Sequence, residues 1–247
     1  MFLQTELEKS GSWLFRHRSF LAFAGFPLLA VGLKHFTYIG HSEQINERWQ
    51  IICFAISMAG LAVRILTIGF VPRRTSGRNT DKQVAQSLNT TGMYSLVRNP
   101  LYLGNFLMML GFALFFHTWW VVIVATFVCG LSYYCIVQAE EAFLKERFGR
   151  EFEQWASERP AFFPNLSGWQ RPALPFCWRT VLRREYTGFF IVTAGFFILD
   201  AVADSIAEGQ IHIGTGWSIV FGIGAVTYLV LRTLKKRTNL LSVTGRS

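Results

Sequence analysis

The sequence predicts an all-α membrane protein, a bundle of about six transmembrane helices with the N- and C-termini on the cytoplasmic side. The chain has 247 residues, of which 51% are hydrophobic, and its mean hydropathy is +0.32. The apolar residues form long uncharged blocks, and about 20 such residues are needed to cross about 30 Å of hydrocarbon. The basic residues are concentrated in alternate loops between these blocks. Block length and charge placement together favour a multi-pass membrane protein over a soluble one.

Six blocks come close to the length of a membrane span. With no water in the bilayer core, each segment must satisfy its own backbone, and helices do so. The third block is short and its partner follows after only two residues, so we expect these two to form a tight helical hairpin. The predicted spans are residues 20–39, 49–71, 101–116, 119–139, 188–206 and 213–231.

The formal net charge is +9, and 21 of the 24 Lys and Arg residues fall on one side of the predicted spans. The positive-inside rule therefore places both termini and the long loops, residues 72–100 and 140–187, in the cytoplasm. We expect a bacterial inner membrane protein with the lipid bilayer as its environment. A nucleic-acid partner is the rival interpretation of the charge. The loop asymmetry accounts for the charge without one, and the sequence leaves the oligomeric state open.

The four cysteines form no Cys-x-x-Cys pair, so neither a disulfide framework nor a metal site is expected. The first apolar run is long enough to span and should remain as the first helix rather than be cleaved. We divide the chain into a core, residues 1–168, and a second part, residues 169–247, that holds a linker and two additional helices.

An amphipathic helix is predicted over residues 140–158. Leu144, Phe148, Phe152 and Trp155 form one apolar stripe at helical spacing, and charged residues fill the other face. Such a helix suits the membrane interface. It should end at residue 159, because the residue before a proline avoids the α region.

A polar loop turns into the third predicted span at Pro100, within residues 92–105. Proline is tolerated in a first helical turn, and the free N–H groups of a helix N-terminus suit a carboxylate or phosphate. Arg98 adds a fork of donors for the same kind of anion, and Tyr94 and Tyr102 offer flat faces and hydroxyls. The alternative interpretation is a span start with a snorkelling arginine and interfacial tyrosines.

Two adjacent carboxylates, Glu140 and Glu141, follow the fourth predicted span where it leaves the membrane. Acids at this position can bind a cation, an amino group or a pair of ribose hydroxyls. Taken alone, they favour the solvated start of an interfacial helix.

Together the two segments resemble the isoprenylcysteine carboxyl methyltransferase family and its relatives, the phospholipid N-methyltransferases. The family pattern is Gly-x-Tyr, then Arg-His-Pro-x-Tyr-x-Gly, and, after a helical hairpin, Glu-Glu, Leu, Phe-Gly, aromatics and proline. The resemblance covers roughly residues 69–164. The family histidine is Asn99 here, which forms hydrogen bonds but cannot titrate near neutral pH. The matching residues are Gly92, Tyr94, Arg98, Pro100, Tyr102, Gly104, Glu140, Glu141, Leu144, Phe148, Gly149, Phe152, Trp155, Pro160 and Pro164.

The resemblance implies methyl transfer from S-adenosylmethionine to a membrane lipid or lipidated substrate at the cytoplasmic face. The acceptor would be an isoprenylcysteine-type carboxylate or a lipid head group. Arg98 and Glu141 are the expected catalytic residues, with Arg98 orienting an anionic acceptor or the cofactor carboxylate. The expected cofactor-binding residues are Tyr94, Asn99, Pro100, Tyr102, Leu103, Gly104, Glu140 and Glu141.

Two other functions stay open at this point. Membrane sterol and steroid reductases are similar in fold and in parts of the motif but use NADPH, whose 2′-phosphate Arg73, Arg74 and Arg78 could contact. A scaffold or transporter subunit would bind no cofactor at all.

Charged residues inside the predicted spans need separate explanations. Arg64 either snorkels to the cytoplasmic face or points into the bundle as an anion contact. Asp200 and Asp204 share one helix face near the outer end of the fifth span. A wetted helix end is favoured there, and a contact to Lys34 or His35 is the alternative.

Overall fold

The computed structural model describes residues 31–34, 36–72, 75, 85–209 and 213–246. This part of the chain is helical with no strand, and residues 31–34 are also helical. Short 3-10 turns lie at Ile39–His41 and Leu166–Gly168. The helices are α1 (Glu43–Phe70), α2 (Met93–Leu96), α3 (Pro100–Leu114), α4 (Trp119–Phe148), α5 (Arg150–Glu158), α6 (Trp178–Glu208) and α7 (Thr215–Arg237).

The predicted helical membrane bundle is confirmed. The helices α1, α4, α6 and α7 are each long and apolar enough to cross a membrane. They contain or closely overlap the predicted second, fourth, fifth and sixth spans. The predicted third span is α3, whose 15 residues extend only about 22 Å at 1.5 Å per residue. Most of the predicted first span, residues 20–39, lies outside the described residues.

Two helices begin earlier than predicted, at the ends where polar residues are buried. Helix α1 starts at Glu43, and its first turns bury Asn46 and Gln50, although residues 41–48 were expected to be a loop. Helix α6 starts at Trp178, ten residues before the predicted span. The N–H of Cys177 donates to the Gly69 carbonyl at 2.9 Å, so α6 begins beside the end of α1. Hydropathy underestimates both helices because their polar residues pack inside the protein.

The single interfacial helix predicted over residues 140–158 is wrong. Helix α4 continues through Phe148, and a separate helix, α5, begins at Arg150. Gly149 between them has a φ of 54°, which a residue without a Cβ adopts at little cost. Glu140 and Glu141 therefore belong to the span helix itself. The predicted end of the second helix before Pro160 is confirmed.

The closest helix crossing brings the backbones of α1 and α3 together at glycines. A Cβ on Gly60 would lie 2.5 Å from the Gly104 carbonyl oxygen, and one on Gly104 would lie 2.7 Å from the Gly60 oxygen. Farther along, a Cβ on Gly111 would meet the Cys53 carbonyl oxygen at 2.4 Å. Small residues at such crossings allow the backbone contact that drives helix association in lipid. This crossing fixes α3, the helix that follows the polar motif.

The buried core lies toward the α3–α4 hairpin turn, away from that motif. Phe115, Phe116 and Phe196 are at most 1% exposed, and the Phe196 ring stacks on Trp217 with centroids 5.5 Å apart. Asp200 and Asp204 on α6 are also buried, at 4% and 7% exposure. The expected wetted helix end is therefore wrong.

Candidate active site

The polar motif folds as a turn, the short helix α2 and the start of α3. Pro100 is the first residue of α3, and the N–H of Leu103 donates to the Asn99 carbonyl at 3.1 Å. The Leu103 N–H is thus used inside the helix. Gly104, one turn after Pro100, faces α1, where an added Cβ would lie 2.6 Å from Cγ of Arg64. Two of the predicted cofactor contacts, Leu103 and Gly104, are therefore engaged within the protein, by the helix itself and by α1.

Asn99 joins the start of α3 to α4. Its amide nitrogen donates to Glu141 Oε1 at 3.2 Å and lies 3.3 Å from the carbonyl oxygen of Ala161. The residue is 8% exposed, so these partners hold a buried amide. The structure therefore brings two candidates together that are 42 positions apart in the sequence.

Arg98 approaches the same carboxylate oxygen. Its Nε lies 3.1 Å from Glu141 Oε1, and its Nη1 donates to the Ala156 carbonyl of α5 at 3.1 Å. The Nε is buried and makes no hydrogen bond within the described residues, because the ion pair is close but poorly aligned. Glu141 thus lies between a guanidinium and an amide, where its charge is compensated.

Tyr102 supplies the second link between the two motifs. Its hydroxyl donates to Glu140 Oε2 at 2.9 Å. Its ring centroid lies 5.4 Å from that of Tyr133, which is about two turns of α4 before Glu140. The Tyr102 hydroxyl therefore links the Glu140 side chain to the start of α3.

Tyr94 on α2 lies in the same region. Burial raises the pKa of the phenol, and the negative charge of Glu140 raises that pKa further. The hydroxyl therefore stays neutral at physiological pH and can both donate and accept a hydrogen bond.

The segment between α5 and α6 is tied over the motif by hydrogen bonds. The N–H of Arg98 donates to the Pro160 carbonyl at 2.9 Å, and the N–H of Asn165 donates to the Leu96 carbonyl at 2.9 Å. Gln170 both accepts from the N–H of Gly92 and donates to the Ser95 hydroxyl. The prolines between α5 and α6 predict an irregular segment. Nothing in the sequence shows that this segment bonds to the polar motif.

Arg64 points into the bundle rather than snorkelling, and its anionic partner is a carboxylate of the protein itself. Its Nε and Nη2 donate to the two oxygens of Glu185 on α6, at 2.7 and 2.8 Å, and its Nη1 donates to Asn105 Oδ1 at 2.6 Å. Glu185 is 3% exposed. Neither Glu185 nor Asn105 was predicted from the sequence as a partner of Arg64. The available signal was that an arginine within a span requires a counter-charge.

Residues 73–151 match the family model described as phospholipid methyltransferase. The nickel-cobalt-cadmium resistance protein NccN of Alcaligenes xylosoxydans xylosoxydans is 30% identical over 158 residues, which cover 63% of this chain and 68% of that protein. The chain belongs to the phospholipid methyltransferase family.

This result confirms the resemblance seen in the sequence, because the family is part of the wider isoprenylcysteine carboxyl methyltransferase family. The cobalt-zinc-cadmium resistance protein CzcN of Cupriavidus metallidurans is also similar, with 33% identity over 127 residues. That match covers 49% of this chain and 56% of the relative. No solved structure matches the chain.

Members of this family use S-adenosylmethionine, and the residues at the junction of α2, α3 and α4 fit its polar groups. Carboxylates such as Glu140 and Glu141 suit the amino group or the ribose hydroxyls, and both can accept two or more hydrogen bonds. The guanidinium of Arg98, whose Nε lies 3.1 Å from Glu141 but makes no hydrogen bond among the described residues, is a group suited to a carboxylate. The arginines that could contact a 2′-phosphate, Arg73, Arg74 and Arg78, lie outside the described residues.

Proposed function

We propose that the protein transfers a methyl group from S-adenosylmethionine to a membrane-borne acceptor at the cytoplasmic membrane face. The acceptor class is an isoprenylcysteine-type carboxylate or a lipid head group. One observation carries the proposal: two pairs of contacts, Asn99 with Glu141 and Tyr102 with Glu140, join the family's two motifs at one end of the bundle.

When bound, S-adenosylmethionine supplies an electrophilic methyl group that an acceptor lone pair takes while the C–S electrons remain on sulfur. The protein's task is then to position its ligands and exclude water, which can contribute several kcal/mol. Glu140 and Glu141 bind the amino group or ribose. Tyr94 and Asn99 supply neutral hydrogen-bonding groups. Arg98 holds Glu141 in place and orients an anionic acceptor or the cofactor's carboxylate.

None of these residues needs to remove a proton. An ionised carboxylate or a neutral amine already has a lone pair available, and Asn99 cannot act as a base near neutral pH. The proposed reaction thus accommodates the replacement of the family histidine.

The position of the site supports an acceptor that arrives from the bilayer. Glu140 and Glu141 lie on the span helix α4, and Asn99 and Tyr102 lie at the start of the apolar helix α3. A lipid head group at the interface lies at this depth, whereas a soluble acceptor would have to approach over the tied segment 160–170.

The names of NccN and CzcN place those two proteins in metal resistance. We propose that methyl transfer by this chain serves the same physiology. A host that depends on the chain for growth on cobalt or cadmium should lose that growth when Glu141→Gln replaces the wild type at equal protein level. Unaltered growth with this variant would separate resistance from the proposed chemistry.

The deciding experiment is a thermal-shift titration of the detergent-purified protein with S-adenosylmethionine, S-adenosylhomocysteine and NADPH. A ligand that binds only the folded protein at a hundredfold excess over Kd adds about 2.7 kcal/mol to its stability. We expect stabilisation by both sulfur ligands and its loss in Glu141→Gln. Stabilisation by NADPH alone would replace the proposal with a reductase, and no stabilisation by any of the three would refute it.

Glu146→Gln is the matched control. Glu146 lies on the same helix five residues further on, and its side chain is exposed. The substitution removes the same charge from α4, so it should leave ligand binding unchanged. A follow-up assay with methyl-labelled cofactor and membrane lipid extract would then show whether label enters the lipid fraction.

A further inference from the structure

The last two helices, α6 and α7, lie beyond the family match, which ends at residue 151. One buried acid nevertheless links α6 to the matched part, by way of Arg64 on α1. Glu185 uses both carboxylate oxygens to hold the guanidinium of Arg64 on α1. The side chains are 4% and 20% exposed, so this two-pronged ion pair is largely shielded from solvent.

The third bond of Arg64 leads toward the candidate site. Its Nη1 donates to Asn105, which is the last residue of the polar motif and lies in the second turn of α3. Asn105 lies on α3 three residues after Tyr102, whose ring packs against that of Tyr133 on α4. Tyr102 in turn donates to Glu140. A continuous set of contacts thus runs from α6 to the proposed cofactor-binding carboxylate.

The aliphatic part of Arg64 fixes the same helix sterically. Its Cγ lies only 2.6 Å from the position that a Cβ on Gly104 would take. Arg64 therefore fills the space beside Gly104 and bonds the next residue, so its placement sets the position of the first turns of α3. Glu185 determines that placement, because a guanidinium held by a carboxylate fork has a single orientation.

We propose that Glu185 is a positioning residue of the methyltransferase site, acting through Arg64 and Asn105 on the start of α3. The inference rests on the proposed function for the identity of the ligand, but not for the placement of α3. Stability alone is a poor explanation of such a pair, because apolar residues of similar volume often replace a buried ion pair without loss of stability. What apolar residues cannot replace is the orientation of the guanidinium.

The test compares three variants with the wild type. Glu185→Gln removes the charge, and the double variant Arg64→Met with Glu185→Leu replaces the whole pair by apolar side chains. Gln50→Leu is the control, since Gln50 lies on α1 like Arg64 and accepts a partly buried hydrogen bond from Trp217 on α7. It lies about 21 Å from Arg64 along α1 at 1.5 Å per residue.

Two measurements are made on each variant in detergent: S-adenosylhomocysteine affinity by calorimetry and amide hydrogen exchange over residues 99–106. We expect affinity at least about tenfold weaker and faster exchange in both pair variants, even where the double variant keeps its melting temperature. Gln50→Leu should lower the melting temperature and leave both measurements at wild-type values.

The two measurements separate this inference from the proposed function. The positioning role would be overturned if the double variant showed wild-type amide hydrogen exchange over residues 99–106, whatever its ligand affinity. It would also be overturned if the double variant bound S-adenosylhomocysteine with wild-type affinity. If the wild-type protein does not bind S-adenosylhomocysteine, the proposed function fails, and hydrogen exchange alone then decides the role of Glu185.

Discussion

Replacing Gly60 with alanine tests the helix crossing that places the candidate site. The added Cβ would lie 2.5 Å from the Gly104 carbonyl oxygen and 2.7 Å from the Met108 nitrogen, both of them backbone atoms that cannot rotate away. Ordinary van der Waals contact begins at 3.4 Å, so α1 and α3 must separate by about 1 Å. A gap of that size loses about a quarter to a half of the dispersion attraction between facing atoms. Overpacking of this kind typically costs about 1–3 kcal/mol.

The control substitution is Gly130→Ala on α4, where an added Cβ meets nothing within 4 Å among the described residues. Alanine favours a helix over glycine by about 1 kcal/mol, so this variant should be as stable as the wild type or more stable. Unfolding can be followed with a thiol-reactive dye, since Cys53 is fully buried. The crossing would be wrong if Gly60→Ala unfolded at the wild-type temperature, or if both variants lost equal stability.

Three further predictions follow from single contacts. Asn99→His should make S-adenosylhomocysteine affinity depend on pH between about pH 5 and 8, because the new imidazole lies beside Glu141 and gains a proton as the pH falls. Calorimetric titrations across that range should show this dependence in the variant and not in the wild type. Tyr102→Phe should weaken that affinity about tenfold or more, since a hydrogen bond to a charged group contributes about 1.5–3 kcal/mol, and calorimetry that found no loss would remove Tyr102 from the site. Arg246→Ala should lower the melting temperature, because the guanidinium donates to three carbonyl oxygens at the end of α1 and before α6, whereas Arg237→Ala on an exposed side chain should change stability by no more than about 0.5 kcal/mol.

The helical membrane fold was predictable because each span is a local property of the sequence. About 20 uncharged residues in a row must form a helix in lipid, and this rule located α1, α4, α6 and α7. It gave poor boundaries where polar residues are buried, as at Asn46 in the first turn of α1. Hydropathy treats such a residue as solvent-exposed and therefore starts the predicted helix too late.

The break at Gly149 shows a different limit. The apolar stripe of residues 144–155 continues across it, since two helices that meet at one glycine can keep the same side buried. Periodicity alone cannot distinguish one helix from two in this case. The positive φ of Gly149 marks the break between the two helices. A glycine that follows basic residues such as Lys145 and Arg147 is a typical helix C-terminus.

The residues around the candidate site were predictable as far as the family's motifs extend. The spacing of Asn99, Tyr102, Glu140 and Glu141 placed them near one membrane face, and the structure adds which acid each partner contacts. Their assignment to cofactor binding remains a prediction. Leu103 and Gly104 were grouped with them because a helix N-terminus has free N–H groups, but the sequence cannot show which of those groups the helix itself uses.

The Arg64–Glu185 pair lay beyond sequence reasoning because its members are 121 positions apart and belong to different predicted units. Each residue alone suits a snorkelling side chain at a span end. Only the antiparallel packing of α1 and α6, seen in the bond between Cys177 and Gly69, brings them to the same depth. A buried acid such as Glu185 without its counter-charge is strongly unfavourable. The pair therefore favours a docked α6, and by the proposed route a docked α6 keeps the start of α3 in place. The chain beyond the family match therefore has a physical reason to be part of the same site.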